Sequence, residues 1–464
     1  MRLAFLFLFF VTNSYGQSIS QKLDAAIKKL EADSQFKHGI ISLYVVETST
    51  GKKVFDKHSQ TGLAPASCLK VITAISAFEL LGKEYSYKTS LGYDGKTDSG
   101  ILKGNIYIIG SGDPTLGSWR YASTKENSIL ANFKKAITAQ GIQQIKGGVI
   151  GDDRIWSTQR IPDGWIWQDI GNYYGAGAAG LNWRENQYDL VLQSGNNIGD
   201  AVKITGTRPK FLPGIHLINE LTSAAKGTGD NAYIYLAPDT ETGFVRGTIP
   251  INEDNFVIAG AMPAGGRLLA TVLHNELTSG KAFAESNNSY LKAKAKWGKP
   301  GTIIYTHISP PLDSINYWFL KRSINLYGEA LVKTIGYEKV KKGSTDAGIN
   351  VIKDFWRNRG IESSSIKIID GSGLSPANRV TTHALVTVMQ YAKDKNWFSS
   401  FYHDLPEING IKMKDGYING VRSYTGYLKS KEGIEYAFSF IVNNFDGSAV
   451  SVREKMWKVL DVLK

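Results

Sequence analysis

The feature that most constrains this 464-residue chain is an apolar helix that begins at a Ser-x-x-Lys motif. The motif itself is common here and occurs six times, starting at Ser34, Ser49, Ser67, Ser223, Ser289 and Ser364. Only the copy at Ser67 is followed by apolar residues at helical spacing, up to Gly82. One turn apart on such a helix, the Lys70 amine can reach the Ser67 hydroxyl. The alternative is that Ser67 only caps a helix and Lys70 is a solvated surface amine.

A second motif, Ser-Ile-Asn, occurs twice, at Ser314–Asn316 and Ser323–Asn325. The copies are nine residues apart, so on one helix they would face opposite sides. Ser314 follows two prolines and fits a helix start. Ser323 and Asn325 follow an amphipathic run, where a turn between two helices can present both side chains. We therefore favour the second copy and keep the first as the alternative.

The third motif is Lys414-Asp415-Gly416, followed by Tyr417, and it is predicted to precede a strand. A glycine at this point lets a substrate backbone lie close along the strand edge. A lysine in an ordinary turn is the alternative interpretation. Taken together, the three motifs supply a nucleophile with its base, a proton relay and a cation for a carbonyl substrate, which indicates acyl transfer.

Residues 1–16 have the pattern of a cleaved signal peptide: a charged start at Arg2, an apolar run from Leu3 to Val11, and small residues before Gln17. This predicts export, with the periplasm as the expected compartment. No later stretch approaches about 20 uninterrupted apolar residues, so no transmembrane segment is predicted.

Composition excludes several classes of site. The single cysteine, Cys68, excludes intramolecular disulfides and cysteine-based zinc clusters, and core packing is its expected role. The seven histidines form no His-Glu-x-x-His motif, so neither a metal nor another cofactor is expected. The 54 basic and 42 acidic residues are scattered, without an aromatic-interleaved RNA motif. We expect no nucleic-acid partner, only weak attraction to an acidic envelope polymer.

Hydrophobic patterning predicts a sheet with helices on its faces. The N-terminal part contributes a β-hairpin at residues 40–58. Strands are predicted at Tyr417–Leu428 and Tyr436–Phe445, and helices at about 312–336, 345–359, 383–396 and 450–464. The stretch 89–285 is rich in glycine and short strand-like runs, which predicts a β-rich insert between Ser67 and the later motifs.

Several ordered motifs resemble one known family. Pro65-Ala66-Ser67-x-x-Lys70, Ser323-Ile324-Asn325 and Lys414-x-Gly416 resemble its three active-site motifs. Further stretches also resemble family signatures: Ser111–Leu116, His307–Leu312, Asp370–Ser375 and Phe438–Asn444. The chain is similar, over nearly all of its mature length, to the low-molecular-mass class C penicillin-binding proteins, which are D-alanyl-D-alanine carboxypeptidase/endopeptidases of the S13 peptidase family.

The resemblance implies a fold and a domain organisation. The fold class is α/β (α+β), a penicillin-binding or β-lactamase-like transpeptidase domain with an antiparallel sheet, helices on its faces and a β-rich insert. The transpeptidase-like domain would comprise residues 17–88 and 286–464, and the insert residues 89–285. Peptidoglycan stem peptides would be the substrates, and β-lactam antibiotics would be covalent inhibitors.

The resemblance also implies residue roles. Ser67 would attack the carbonyl carbon of the penultimate D-alanine and form an acyl-enzyme. Lys70 would accept the serine proton, aided by burial and by the nearby Lys414 cation, which both lower a lysine pKa. Ser323 would pass a proton to the leaving amine, and Asn325 would hold the substrate amide. The backbone N–H groups of Ser67 and Tyr417 would form the oxyanion hole.

Two departures from the family pattern remain. Ile324 replaces the aspartate of Ser-Asp-Asn, and Asp415 and Tyr417 replace the hydroxyl residues of Lys-Thr-Gly-Thr, which help to bind the substrate carboxylate. The second departure leaves a weakly active or inactive penicillin-binding protein as an alternative to the peptidase. A serine β-lactamase is a further alternative, although the long insert favours a peptidase. Carboxypeptidase and endopeptidase activity both stay open.

Overall fold

The structure is a computed structural model that describes residues 17–210, 212, 214–278 and 298–464. The predicted signal peptide, residues 1–16, lies outside the described residues. No helix within the described ranges is both long enough and apolar enough to cross a membrane. The α-helices described are Ile19–Glu31, Lys70–Leu81, Glu126–Ala139, Trp167–Ile170, Gly265–Leu277, Leu312–Lys321, Asn325–Val340, Thr345–Arg357, Thr382–Lys393, Phe398–Asp404 and Ala449–Leu460.

A six-stranded sheet, called the central sheet below, joins the two ends of the chain. Its strands, in spatial order, are Glu407–Ile408, Ile411–Ile418, Val421–Lys429, Glu435–Asn443, Ile40–Glu47 and Lys53–Lys57. Every neighbouring pair is antiparallel. The predicted hairpin at 40–58 and the predicted antiparallel sheet are therefore confirmed.

Each face of the central sheet carries its own helical layer. Successive side chains of a strand point to opposite faces. In the strand Glu435–Asn443, Phe438 and Phe440 pack in the cluster that includes the first and last helices of the described chain. Ala437 and Ile441 pack instead in the cluster built around the helices that carry the predicted motifs. The predicted arrangement of helices on both faces is confirmed.

One predicted strand is wrong. Tyr417–Leu428 is not continuous, because the chain reverses at residues 419–420 and Ile418 pairs with Val421 across the turn. Asn-Gly is a strong signal for a tight hairpin turn, and Gly420 has a φ of 69° that favours glycine. The Lys-x-Gly motif consequently lies inside the strand Ile411–Ile418, not before it.

The stretch between the nucleophile helix and the second motif carries many short strands, as its sequence predicts. A four-stranded sheet contains Thr302–Ile308, Lys88–Tyr93, Ile106–Ile109 and Val149–Asp152. Two three-stranded sheets contain Lys203–Arg208, Gln187–Gln193 and Phe256–Ala261, and His216–Ala224, Thr242–Pro250 and Asn231–Tyr235. A small sheet comprises Lys96–Asp98, Ile101–Lys103 and Gln144–Ile145. Beyond the second motif, Ile366–Lys367 pairs with Arg379–Val380 in a two-stranded sheet.

This stretch has its own apolar cluster, which joins strand residues such as Leu91 and Ile108 to helix residues such as Phe133 and Leu268. It therefore folds around a core separate from the two layers of the central sheet. The boundaries 17–88, 89–285 and 286–464 stay a prediction, and the residues on both sides of the 285/286 boundary lie outside the described ranges.

Candidate active site

Ser67 and Lys70 lie at the start of the helix that the sequence predicts. Residues Ala66–Leu69 form one 3₁₀ turn, and the α-helix Lys70–Leu81 follows directly and ends at Gly82. Side chains three residues apart are eclipsed in a 3₁₀ turn, which places the two side chains together. Lys70 Nζ lies 2.7 Å from Ser67 Oγ in a hydrogen bond.

Lys70 is completely buried and has two further hydrogen-bond partners. Its Nζ donates to Asn325 Oδ1 at 2.7 Å and to the carbonyl oxygen of Ser372 at 2.6 Å. The Asn325 amide is oriented from its other side, because its Nδ2 donates to the carbonyl oxygen of Tyr174 at 2.7 Å. All three partners of Lys70 are therefore uncharged groups.

The environment of Lys70 lowers the pKa of its amine to about 7. Burial is the largest cause, and the nearby Lys414 ammonium is the next. Asp370, Glu329 and Asp415 act in the opposite direction when ionised. Burial and the Asp370 charge hold the pKa of Glu329 well above its usual value. A neutral amine is thus available near pH 7 beside the Ser67 hydroxyl, which is the requirement for a general base.

Ser323 lies in the turn between the helices Leu312–Lys321 and Asn325–Val340, as its sequence context predicts. Its φ of 55° is uncommon for a residue with a side chain, and it lies two residues before Asn325, where the next helix begins. Within the described part of the chain, Ser323 Oγ makes no hydrogen bond to Ser67 or Lys70.

The first Ser-Ile-Asn copy lies elsewhere. Ser314 is in the first turn of the helix Leu312–Lys321, and its backbone carbonyl accepts a hydrogen bond from Tyr121 at 2.9 Å. Asn316 is buried, and its Nδ2 contacts the carbonyl oxygen of Ala74 at 3.4 Å. The structure thus joins Asn325, not Asn316, to Lys70.

Lys414 is almost fully buried and is paired with its neighbour in sequence. Its Nζ donates to Asp415 Oδ1 at 2.9 Å and to the Asp415 carbonyl oxygen at 2.7 Å. Burial alone would raise the pKa of Asp415, but the Lys414 charge and hydrogen bond, together with Arg422, hold the pKa below its usual value. The carboxylate is consequently ionised at neutral pH, and Lys414 balances its charge.

Gly416 brings the motif strand against the nucleophile turn. A Cβ at this position would lie 2.8 Å from both Ser67 N and the Pro65 carbonyl oxygen, and would overlap Ser423 Oγ. Only glycine permits this close approach. The neighbouring Tyr417 is 52% exposed, and the Arg422 guanidinium lies 5.5 Å from its ring centre.

Cys68 is fully buried, as expected for a core residue, and its Sγ donates to the Lys414 carbonyl oxygen at 3.2 Å. Burial raises the pKa of this thiol to about 11, so it stays protonated. Its hydrogen bond adds a second link between the nucleophile turn and the motif strand.

Sequence reasoning missed several groups around Lys70, notably the Ser372 carbonyl, Asp370, Glu329 and Tyr174. The signals available in the sequence were the Asp370–Ser375 stretch, which resembles a family signature, and the acidic Glu329 one helical turn after Asn325. The structure shows that Glu329 is fully buried. No group of three or more His, Cys, Asp or Glu side chains suited to a metal ion occurs in the described ranges.

Comparisons with known proteins extend over nearly the whole chain. Residues 21–462 match the D-Ala-D-Ala carboxypeptidase 3 (S13) family. The D-alanyl-D-alanine carboxypeptidase of Actinomadura sp. strain R39 is 24% identical over 458 residues, which cover 93% of this chain and 82% of the relative. The D-alanyl-D-alanine carboxypeptidase DacB of Haemophilus influenzae is 24% identical over 422 residues, which cover 87% and 85%.

The crystal structure of penicillin-binding protein 4 (dacB) from Haemophilus influenzae has a similar fold. Its TM-score is 0.77 at 20% identity, and the match covers 95% of this chain and 99% of that one. The predicted fold class and the resemblance drawn from the motifs are both confirmed. From residue 21 to residue 462, the chain belongs to the D-Ala-D-Ala carboxypeptidase (S13) family of serine peptidases.

Proposed function

We propose that this protein is a serine D-Ala-D-Ala carboxypeptidase that acts through an acyl-enzyme on Ser67. The observation that carries the proposal is the buried Lys70 amine, with its pKa of about 7, at 2.7 Å from Ser67 Oγ. When neutral, Nζ accepts the hydroxyl proton while Oγ attacks the carbonyl carbon of the penultimate D-alanine. The C–N bond then breaks, the leaving amine takes a proton, and water hydrolyses the ester.

The other motif residues support this reaction. In the proposed mechanism Ser323 passes the proton to the leaving amine, and Asn325 holds the substrate amide. The backbone N–H groups of Ser67 and Tyr417 stabilise the oxyanion, and one such donor typically contributes about 3 kcal/mol. The packing of Gly416 against Ser67 N supports this pairing, since it brings the strand and the nucleophile turn together.

The proposed substrates are peptidoglycan stem peptides, and the proposed covalent inhibitors are β-lactams. The Haemophilus influenzae penicillin-binding protein 4 has been solved in complex with a novel β-lactam. The compartment proposed for the mature protein is the periplasm. The strand edge beside Ser67 is suited to an extended peptide. Among the described residues, the strand Glu407–Ile408 pairs with the motif strand only at Lys412 and Ile411, so the ladder stops before Lys414.

A weakly active penicillin-binding protein is the second candidate, and the ion pair between Lys414 and Asp415 favours it. A lysine already neutralised by a carboxylate attracts an anionic substrate less strongly. Steady hydrolysis of a stem peptide ending in D-Ala-D-Ala distinguishes the peptidase from this candidate. Slow recovery after acylation by penicillin distinguishes either of them from a serine β-lactamase.

Labelled penicillin tests the nucleophile. We expect one label per molecule, because the strained β-lactam carbonyl mimics the scissile amide, and we expect Ser67→Ala to take up none. Ser364→Ala is the matched control, since Ser364 opens another Ser-x-x-Lys motif and its hydroxyl bonds Glu362 in an exposed turn. Labelling of Ser67→Ala at the wild-type rate would overturn the assignment.

A further inference from the structure

The loop that follows the short strand Ile366–Lys367 lies directly against the proposed base. The carbonyl oxygen of Ser372 accepts the shortest of the hydrogen bonds described for Lys70 Nζ, at 2.6 Å. This carbonyl is a backbone group, so its position depends on the conformation of the loop and not on a rotamer. The contacts that fix the conformation of this loop therefore also fix the position of one of the three hydrogen-bond partners of the Lys70 amine.

The loop packs between the helices Lys70–Leu81 and Asn325–Val340, which carry site residues. The Gly371 carbonyl accepts from Thr73 Oγ1 at 2.7 Å, and Gly371 N donates to both carboxylate oxygens of Glu329 at 3.1 Å. Gly373 has a φ of 83°, and a Cβ there would overlap the carbonyl oxygen of Ala66, the residue before Ser67. The loop is thus packed against both motifs at once.

Asp370 organises this loop from inside. It is fully buried, and its carboxylate accepts four hydrogen bonds: from Gly373 N at 2.8 Å, Ser375 N at 2.7 Å, Asn378 Nδ2 at 2.9 Å and Trp165 Nε1 at 2.9 Å. Two carboxylate oxygens offer about four lone-pair sites, so its acceptor capacity is filled. Charge-assisted bonds of this kind are the stronger ones.

One of those donors comes from the stretch that the sequence analysis assigned to the insert. Trp165 is buried, and the neighbouring Gly164 carbonyl accepts from Ser375 Oγ at 2.9 Å. The same stretch supplies the Tyr174 carbonyl that orients Asn325, and the Ala178 carbonyl that accepts from the buried Lys333 at 2.9 Å. The inserted stretch therefore contacts the loop that holds the Ser372 carbonyl on Lys70, and it contacts the Asn325 side chain directly.

We propose that Asp370 is a positioning residue for acylation: it shapes the loop that places the Ser372 carbonyl on Lys70, and through Trp165 it makes the inserted stretch part of that support. The proposal rests on the proposed function, since it concerns the same base. It gives a role to the Asp370–Ser375 signature, which the reaction steps above do not use.

The charge of Asp370 gives the proposal a specific readout. The charged groups that act on Lys70 are Lys414, which lowers its pKa, and Asp370, Glu329 and Asp415, which raise it. Replacing Asp370 by asparagine removes one cause that raises the pKa of Lys70. It also removes a charge that raises the pKa of the neighbouring Glu329, so Glu329 ionises more readily and acts on Lys70 in its place. The low-pH fall of the rate profile, called the acid limb below, should therefore leave its wild-type position, to lower pH where the lost Asp370 charge dominates and to higher pH where the Glu329 charge does. An asparagine also has only one acceptor oxygen for four donors, so the loop loses its hold on Lys70.

The experiment measures the second-order rate constant of acylation by labelled penicillin from about pH 5 to about pH 9 on the full mature protein. Asp370→Asn should lower the plateau about tenfold or more, the scale of a misplaced catalytic group, and move the acid limb away from its wild-type pH. Trp165→Phe removes one of the four donors and leaves the Asp370 charge and the other three in place, so it should lower the plateau by a smaller factor, about threefold, with the limb unmoved.

Trp183→Phe is the matched control, because Trp183 is fully buried within the inserted stretch and its Nε1 has no hydrogen-bond partner among the described residues. It should leave the plateau within about twofold of wild type. Melting temperatures measured on each variant separate lost stability from lost positioning.

Either of two results would overturn the proposal: an Asp370→Asn plateau within about twofold of wild type, or an acid limb that stays at the wild-type pH. If Asp370→Asn does not fold, equal plateaus for Trp165→Phe and Trp183→Phe would overturn it instead. Wild-type protein that takes up no penicillin would overturn the proposed function, which is a different outcome from an acylated wild type with unaffected variants.

Discussion

The regions around Lys70 and Lys414 each bury a lysine side chain almost completely, but they surround it with different hydrogen-bond partners. Lys70 is 0% exposed, and its three partners are a hydroxyl, an amide oxygen and a carbonyl. Lys414 is 1% exposed, and it has a carboxylate oxygen at 2.9 Å. Burial alone therefore does not decide what a lysine does in this site.

The difference teaches which lysine can act as a base. Uncharged partners do not compensate a buried ammonium for its lost hydration, so the pKa of Lys70 falls to about 7. Lys414 instead has the Asp415 carboxylate in contact, and the Lys414 cation helps to lower the pKa of Lys70. We expect Lys70 to exchange protons during the reaction and Lys414 to act as a fixed charge.

The largest expected effect comes from replacing each lysine by arginine, which stays protonated in proteins. Lys70→Arg should slow acylation by about 10²–10⁴-fold, because the general base is lost. Lys414→Arg keeps the cation and should cost about tenfold at most. Stopped-flow measurement of penicillin acylation compares the two, and equal losses would remove the distinction between base and fixed charge.

Replacing Ser323 tests whether its hydroxyl transfers a proton during the reaction at Ser67 and Lys70. Ser323→Ala should slow acylation by about 10²-fold, the usual scale for a lost proton-transfer group. Ser314→Ala is the matched control from the other Ser-Ile-Asn copy. The helix Leu312–Lys321 has Pro311 at its N-cap without a side-chain cap bond, so Ser314→Ala should change neither rate nor stability appreciably. The reverse ranking would show that the first copy is the functional one.

The pH profile sharpens the electrostatic link between the two lysines. Because the base must be unprotonated, the acylation rate should fall about tenfold per pH unit below a pKa of about 7. Lys414→Met removes a charge that lowers the pKa of Lys70, so the acid limb should move to higher pH. Lys414→Arg serves as the control that leaves the limb in place. A limb at the wild-type position in Lys414→Met would contradict the coupling.

The smallest expected effect concerns the partner of Lys414. Asp415 puts a negative charge where the motif that this chain resembles has a hydroxyl, so we expect a substrate with a free carboxylate to be disfavoured. Lys414 and Arg422 lie near this charge and offset part of it, which keeps the expected effect small. Asp415→Thr should raise kcat/KM for a peptide ending in D-Ala-D-Ala by about tenfold, equivalent to about 1.4 kcal/mol. The corresponding peptide amide is the control, and an equal change for acid and amide would mean that Asp415 does not sense the carboxylate.

Much of the fold was predictable because its signals are local. Apolar spacing predicted the helix that ends at Gly82, and alternation predicted the hairpin at 40–58. The turn at Asn419-Gly420 was missed although its signal was present, since the surrounding tyrosines and valine favour a strand. Ser67 and Lys70 were predicted as neighbours because they are only three residues apart in one helical turn.

By itself, the sequence determined the family, the antiparallel sheet with helices on its faces, and the pairing of Ser67 with Lys70. Only the tertiary structure decided which Ser-Ile-Asn copy joins the site, and that the Ser372 carbonyl is the third partner of Lys70. These contacts link Lys70 to residues 255 and 302 positions away. Spacing along one helix sets geometry within a few residues, whereas contacts between distant segments depend on how helices and loops pack.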